Sequence, residues 1–157
     1  MIVPVSVRDA FAAFEDPLRL AEITPPGLQF RILTPPPILM AAGVKIDYEF
    51  RWLGLPILWR SIITEYEPPF VCEHEQVKGP FRLWRHRLTF HPSEEGTLVT
   101  DEAFYSLPFG PLGRIVHKGI VSGQLKEIFR FRQKALSEMI SPARARWTDP
   151  VIMETSL

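Results

Sequence analysis

The chain has 157 residues, enough for one domain with its own core, and its 46% hydrophobic and 23% charged content is globular rather than disordered or collagen-like. Eighteen basic and eighteen acidic side chains cancel to zero, which argues against a nucleic-acid partner held through its phosphates. Cys72 is alone and fits a reducing compartment, Asp9, Glu15 and Asp16 come too early for a signal peptide, and no apolar run approaches the ~18 residues of a membrane span; a soluble, cytoplasmic domain with no stable membrane insertion is expected.

Ile2 to Pro4 reads as a very short strand. Ser6, with Asp9 three positions on, is a capping-box-like start, and Ala10, Phe11 and Phe14 then follow at helical spacing. Pro17 to Glu22 suits one further turn before Pro25-Pro26 stops it. From here the period becomes two. Leu28, Phe30 and Ile32 alternate with polar residues. Ile46, Tyr48, Phe50 and Trp52 do so more clearly. Ile57 to Tyr66 is rich in β-branched and aromatic residues, and Val71 to Lys78 is a weaker strand. Trp84, His86, Leu88 and Phe90 share one face of a strand over Phe81 to His91. Thr97 to Ser106 follows a hairpin tip at Glu95-Gly96. Sixteen prolines, about twice the usual share, fall mainly between these segments, as fixed turns do.

After Pro108-Phe109-Gly110-Pro111 the pattern is helical to about Ile140. Leu112, Ile115 and Val116 lie on one side of the wheel, and Val121, Leu125, Ile128, Ala135 and Met139 lie nearly opposite. The switch falls at Gly119 and Gly123, each costing roughly 1 kcal/mol inside a helix, so a break is expected there, with a main helix over 120–139. Pro142 ends it. The spacing predicts a domain over 1–140 and a tail over 141–157. A short helix, an antiparallel meander of six to seven strands and a long last helix make an α+β domain. That helix is the only element long enough to cover the apolar face of the sheet.

Gly79-Pro80-Phe81-Arg82-Leu83-Trp84-Arg85-His86 resembles the G-P-aromatic-x-x-W-x-H block of bacterial proteins in the START-related, polyketide-cyclase-like superfamily (SRPBCC). Phe14-Glu15-Asp16-Pro17, Pro56 with Trp59-Arg60, Gly96-Thr97 through Asp101 to Tyr105, Pro108 to Gly113, and Ile128-Phe129-Arg130-Phe131-Arg132 add to the likeness, in order, over about residues 2 to 140. The resemblance implies the helix-grip fold, a curved sheet wrapped around a long C-terminal helix. It also implies lipid or isoprenoid carriage, quinone binding or aromatic polyketide cyclisation, according to branch; the fold alone does not choose. Two departures stand out. Leu88 occupies a place where the branch often carries a second histidine, and the first strand is unusually short.

No phosphate loop, dinucleotide fingerprint, zinc-protease helix, Cys-x-x-Cys or nucleophile elbow is present. The histidines His74, His86, His91 and His117 show no ligand spacing, so neither a metal site nor a cofactor is expected. His86 shares an inward face with Trp84, Leu88 and Phe90, where an imidazole needs a partner. Asp101 lies on the inward face of the next strand, Arg132 lies within the last helix's apolar stripe, and Glu65 is inward if its strand keeps its alternation. Three readings are open. Arg132 locks helix to sheet by pairing with a carboxylate while His86 is a satisfied core histidine; or the cluster anchors the polar group of a ligand; or His86 is a general acid or base oriented by Asp101 or Glu65.

Tyr48, Phe50, Trp52, Trp59, Trp84, His86, Phe90, Tyr105 and Arg132 are the candidate ligand contacts, with Phe30 a further inward ring. Thr34 to Ile38 and Leu107 to Leu112 are candidate lids. Lys126, Arg130 and Lys134 form a solvated helix face. The expected function is the binding or carriage of an apolar or amphipathic small molecule. The alternatives are a cyclase or dehydratase using a His–carboxylate pair, and a non-catalytic interaction domain. A homodimer is left open.

Overall fold

A computed structural model of the protein describes residues 1–52, 54–108, 121–140 and 148–151. Strand β1 (Ile2–Val3) leads into helix α1 (Val7–Glu15), capped by Ser6, whose hydroxyl accepts from the Asp9 backbone N–H at 3.2 Å. Two 3₁₀ turns follow, Pro17–Ala21 and Pro26–Leu28. Then come β2 (Arg31–Ile32), β3 (Lys45–Trp52), β4 (Leu55–Glu67), β5 (Val71–Lys78), β6 (Leu83–Ser93) and β7 (Gly96–Ser106), and finally helix α2 (Ser122–Ile140).

The strands form one seven-stranded sheet in the order β1-β7-β6-β5-β4-β3-β2, antiparallel throughout. It is the meander expected from the period-two segments, with β1 returning to pair against β7. The strand expected over Leu28 to Ile32 shrinks to two residues. Leu28 ends a 3₁₀ turn, and Gln29 sits at φ 45°, a left-handed conformation that breaks the alternation. The β6–β7 turn falls on Glu94-Glu95, with Gly96 already paired to Ser93.

The inward faces carry two apolar clusters. Val3, Ala10, Phe11, Cys72, Leu88, Phe90 and Val99 pack where α1 crosses β6 and β7. Trp59, Phe81, Tyr105, Val121 and Leu125 pack beneath the start of α2. The buried positions of α2 are Leu125, Phe129, Leu136 and Ser137, whereas Met139 is exposed. The true inward stripe is therefore rotated from the expected one towards Phe129 and Leu136. The helix runs through Gly123 without the break expected there, while Gly119, the Phe109–Leu112 part of the second lid, His117 and nearly all of the 141–157 tail lie outside the described residues.

Candidate ligand cavity

Between the sheet and α2 lies a cavity of ≈ 200 Å³, closed on a third side by the end of α1 and the 3₁₀ turns. Its position follows from the strand pleat. Alternate residues of β3, β4, β5 and β6 point the same way, and the curved sheet holds them off the helix. Tyr48, Phe50 and Trp52 of β3, Trp59 of β4 and Trp84 of β6 all line it, and Phe30 joins them. The rings touch one another: Tyr48 stacks on Trp59 at 6.0 Å, and Trp59 meets Trp84 edge-on at 5.4 Å. Ser61 ties two of them down, its hydroxyl 2.8 Å from the Tyr48 hydroxyl and accepting from Trp59 Nε1 at 3.0 Å. Burial pushes the Tyr48 phenol far above its ordinary pKa, so it stays protonated.

Two expected contacts are not in this wall. Phe90 is wholly buried against Phe11 and Phe14, with ring centroids 5.2 and 5.3 Å away, and belongs to the first core cluster. Tyr105 is 1% exposed and packs against Phe81 and Trp84 in the second. Both share the inward face with cavity residues, but they stand where that face meets α1 or α2 directly. The loop from Thr34 to Ile38 does not border the cavity either; Ile32 and Met40, on either side of it, do.

The polar wall is built by β5, β6, β7 and α2. His86 is 3% exposed. Its Nε2 is hydrogen-bonded to Asp101 Oδ1, a diagonal neighbour two residues from its direct partner Ala103. Its Nδ1 lies 3.2 Å from Nε2 of His74, which is directly opposite on β5, and the two rings meet edge to face. Both nitrogens of His86 are thus taken by protein partners. Burial pushes His74 down to about 3, helped by the positive charges of His86 and Arg132, so His74 is neutral at ordinary pH. Burial would raise Asp101, but the attraction of His86, Arg132 and His74 outweighs it and holds the carboxyl below its ordinary range. His86 Nε2–H donates to Asp101 Oδ1, and His86 Nδ1 and His74 Nε2 share one hydrogen bond whose donor depends on the tautomers of the two rings.

His74 was not among the candidates. Its strand alternates weakly because Cys72, His74 and Gln76, on the inward side, are hardly more apolar than Glu73 and Glu75 outside. The signal that finds it is the register of β5 on β6, which sets His74 against His86.

Glu65 is on the other face. β4 and β5 lose register between Ile63 and Glu65, two residues opposing one, so the alternation inverts there. Tyr66 takes the inward place beside Phe11. Glu65 goes outside, where Arg87 Nη2 donates to its Oε1 at 3.0 Å while Arg87 Nη1 reaches Glu73 at 2.9 Å. That hydrogen bond holds Glu65 below its ordinary pKa and ends any part in the His86 cluster.

Arg132 lines the cavity from α2, close enough to His74, Asp101 and Tyr48 to shift their proton equilibria. It does not make the expected lock: among the described residues no carboxylate forms an ion pair with it. Its guanidinium lies over the Phe129 ring, with Cζ 5.6 Å from the centroid, and its Nε is buried without a hydrogen-bond partner. Arg130, on the opposite side of the helix, pairs with Asp149 at 3.0 Å, and Lys134 is exposed, as a solvated face requires. No grouping of His, Cys, Asp and Glu among the described residues has the shape of a metal site. None of the described helices is long and apolar enough to cross a membrane.

Solved structures share this architecture. A protein from Thermus thermophilus superposes with a TM-score of 0.69 at 17% identity, over 91% of this chain and 94% of its own. One from Chromobacterium violaceum gives 0.69 at 16%, over 90% and 94%. Ginseng major latex-like protein 151 from Panax ginseng gives 0.61 at 12%, over 89% and 93%. At such identities the likeness shows the helix-grip fold alone. Among curated proteins none matches the sequence. The model of one family, described as polyketide cyclase / dehydrase and lipid transport, matches residues 3–129. That span takes in α1, all of the sheet but Ile2 and the first turns of α2, and the chain belongs to this family, within the SRPBCC superfamily.

Proposed function

We propose that this protein binds and carries a small apolar or amphipathic molecule in the cavity between sheet and α2, without transforming it. The observation that carries this reading is an aromatic chamber of ≈ 200 Å³ with His74, His86, Asp101 and Arg132 converging on one wall. Ligand sites typically combine an apolar lining with a few convergent polar groups. The family's description, which names lipid transport beside cyclisation and dehydration, supports the same class. Within it, Tyr48, Phe50, Trp52, Trp59 and Trp84 are the apolar contacts, and His74 and Arg132 are the polar ones. A cytoplasmic setting agrees with the lone buried cysteine.

The hydrogen-bonded chain from Asp101 through His86 to His74 is what favours acid–base chemistry as a second reading. Two features weigh against it. His86 has no nitrogen left for a substrate, and His74, pushed down to about 3, is a weak base at neutral pH. The chain serves better to hold a neutral imidazole in one orientation.

Native mass spectrometry of the protein purified from its own host tests the proposal. A stoichiometric apolar adduct, released unchanged on denaturation, is the expected result. A released molecule that differs in mass from the one loaded would support the enzymatic reading instead. An empty protein that stays empty with quinones, fatty acids and fused-ring aromatics would sink both.

A further inference from the structure

Among the described residues Arg132 is the one arginine or lysine of the polar wall, and none of them pairs with it as an anion. Its guanidinium carbon lies over the Phe129 ring, 5.6 Å from the centroid, a contact that uses none of its N–H donors on an anion. Nε is buried and unbonded. A guanidinium is donor-only and always charged, so a buried N–H without an acceptor leaves a large desolvation cost uncompensated. Asp101 does not relieve it. Its Oδ1 is engaged by His86, and it forms no ion pair with the guanidinium. The neutral His74 beside it has no negative charge to give. The Tyr48 hydroxyl is bonded to Ser61 and makes no hydrogen bond to Arg132 Nε.

We propose that Arg132 is the anchor for the carboxylate of the cavity's ligand, and that the ligand is a monoanionic aromatic acid of one or two rings. This rests on the cavity being a binding site, as argued above, and adds the chemical class of its occupant. Three observations define that class. Arg19, the other arginine lining the cavity, pairs with Asp16 at 3.9 Å, and on the polar wall a second negative charge would meet the ionised Asp101, so the acid carries one charge. The walls are flat rings in contact with one another, Phe30, Tyr48, Phe50, Trp59 and Trp84 among them, and flat rings favour a planar guest over a flexible acyl chain. The space of ≈ 200 Å³ exceeds the roughly 150 Å³ that accommodates a benzene, which gives room for one or two rings.

Isothermal titration of the full chain with 2-naphthoate and with 2-naphthalenemethanol, its neutral counterpart, tests this. The expected result is that the acid binds about 10- to 100-fold more tightly, the range for a hydrogen bond to a charged group. In Arg132→Met that preference disappears while the alcohol still binds within a few-fold of the parent affinity, which also shows that the variant is folded. Arg132→Lys keeps the charge without the planar fork and retains part of the preference. Equal binding of acid and alcohol by the parent chain, or a preference that survives in Arg132→Met, overturns the proposal and leaves the cavity reading standing. Binding of neither compound overturns the cavity reading, and this proposal with it.

Discussion

His74 is a base held in its neutral form by its surroundings, and that has a consequence for stability. In the folded chain burial pushes it down to about 3, against an ordinary 6.5. Between those values the unfolded chain takes up a proton at this position that the folded chain refuses. Acidification therefore favours unfolding, and the stability present above pH 6.5 drains away as the pH falls toward 3. From pH 7 to pH 5 the loss from this one group is roughly 2 kcal/mol. His74→Gln keeps an amide donor for His86 Nδ1 and has nothing to titrate, so its urea midpoint should fall less over the same interval. Parallel pH dependences for the two proteins would show that His74 is not the buried neutral base described here. Asp101 acts in the same sense lower down, since its depressed folded pKa stabilises the fold above its ordinary value and that contribution is lost as the carboxyl protonates.

The meander was legible because Tyr48, Phe50 and Trp52, and again Trp84, His86, Leu88 and Phe90, repeat with period two, and a pleated strand lets nothing else share a face. Where the chain departs from the pleat, the sequence carried no mark. The bulge at Ile63 and Glu65 turned an apparently inward carboxylate outward, and Gln29 at φ 45° stopped a strand whose apolar spacing runs on. On α2 the fault was different. Met139 and Phe129 are equally apolar on a wheel, and only the position of the sheet decides which is covered. Gly96 shows an element depending on one backbone. At φ 130° it opens β7, and a Cβ there would lie 2.2 Å from the Val3 carbonyl oxygen and 2.8 Å from Pro4 Cα. Gly96→Ala should cost about 2 kcal/mol or more through strain and displacement of β1. The backbone N–H of Val99, bonded to Met1 O at 2.8 Å, should lose its hydrogen-exchange protection selectively. An unchanged denaturation midpoint would mean that β1 does not lie against Gly96.

At the scale of the molecule the inward side of the sheet does two jobs, and the side-chain pattern does not tell them apart. Phe90 and Phe50 are both rings on that face. Phe90 faces α1 across a closed core, whereas Phe50 faces open space below α2. Alternation gives the face, but whether a covering element comes close enough to fill the gap depends on the curvature of the whole sheet, which no local spacing encodes. That is why Phe90 and Tyr105 belonged to the core while their neighbours lined the cavity. The difference has an energetic signature. Truncating a ring in a filled core removes its transfer energy and leaves a hole, so Phe90→Ala should cost about 3–5 kcal/mol. Truncating a ring beside space that is already empty removes only part of a transfer term, so Phe50→Ala should cost about 1–2 kcal/mol. Phe50→Ala should also enlarge the chamber and shift binding toward bulkier aromatics, which Phe90→Ala should not. Urea denaturation of the two variants, followed by titration with one-ring and three-ring guests, distinguishes the cases. If both substitutions cost the same and neither alters the preferred guest size, the space beneath α2 is filled in solution and the sheet encloses a single core.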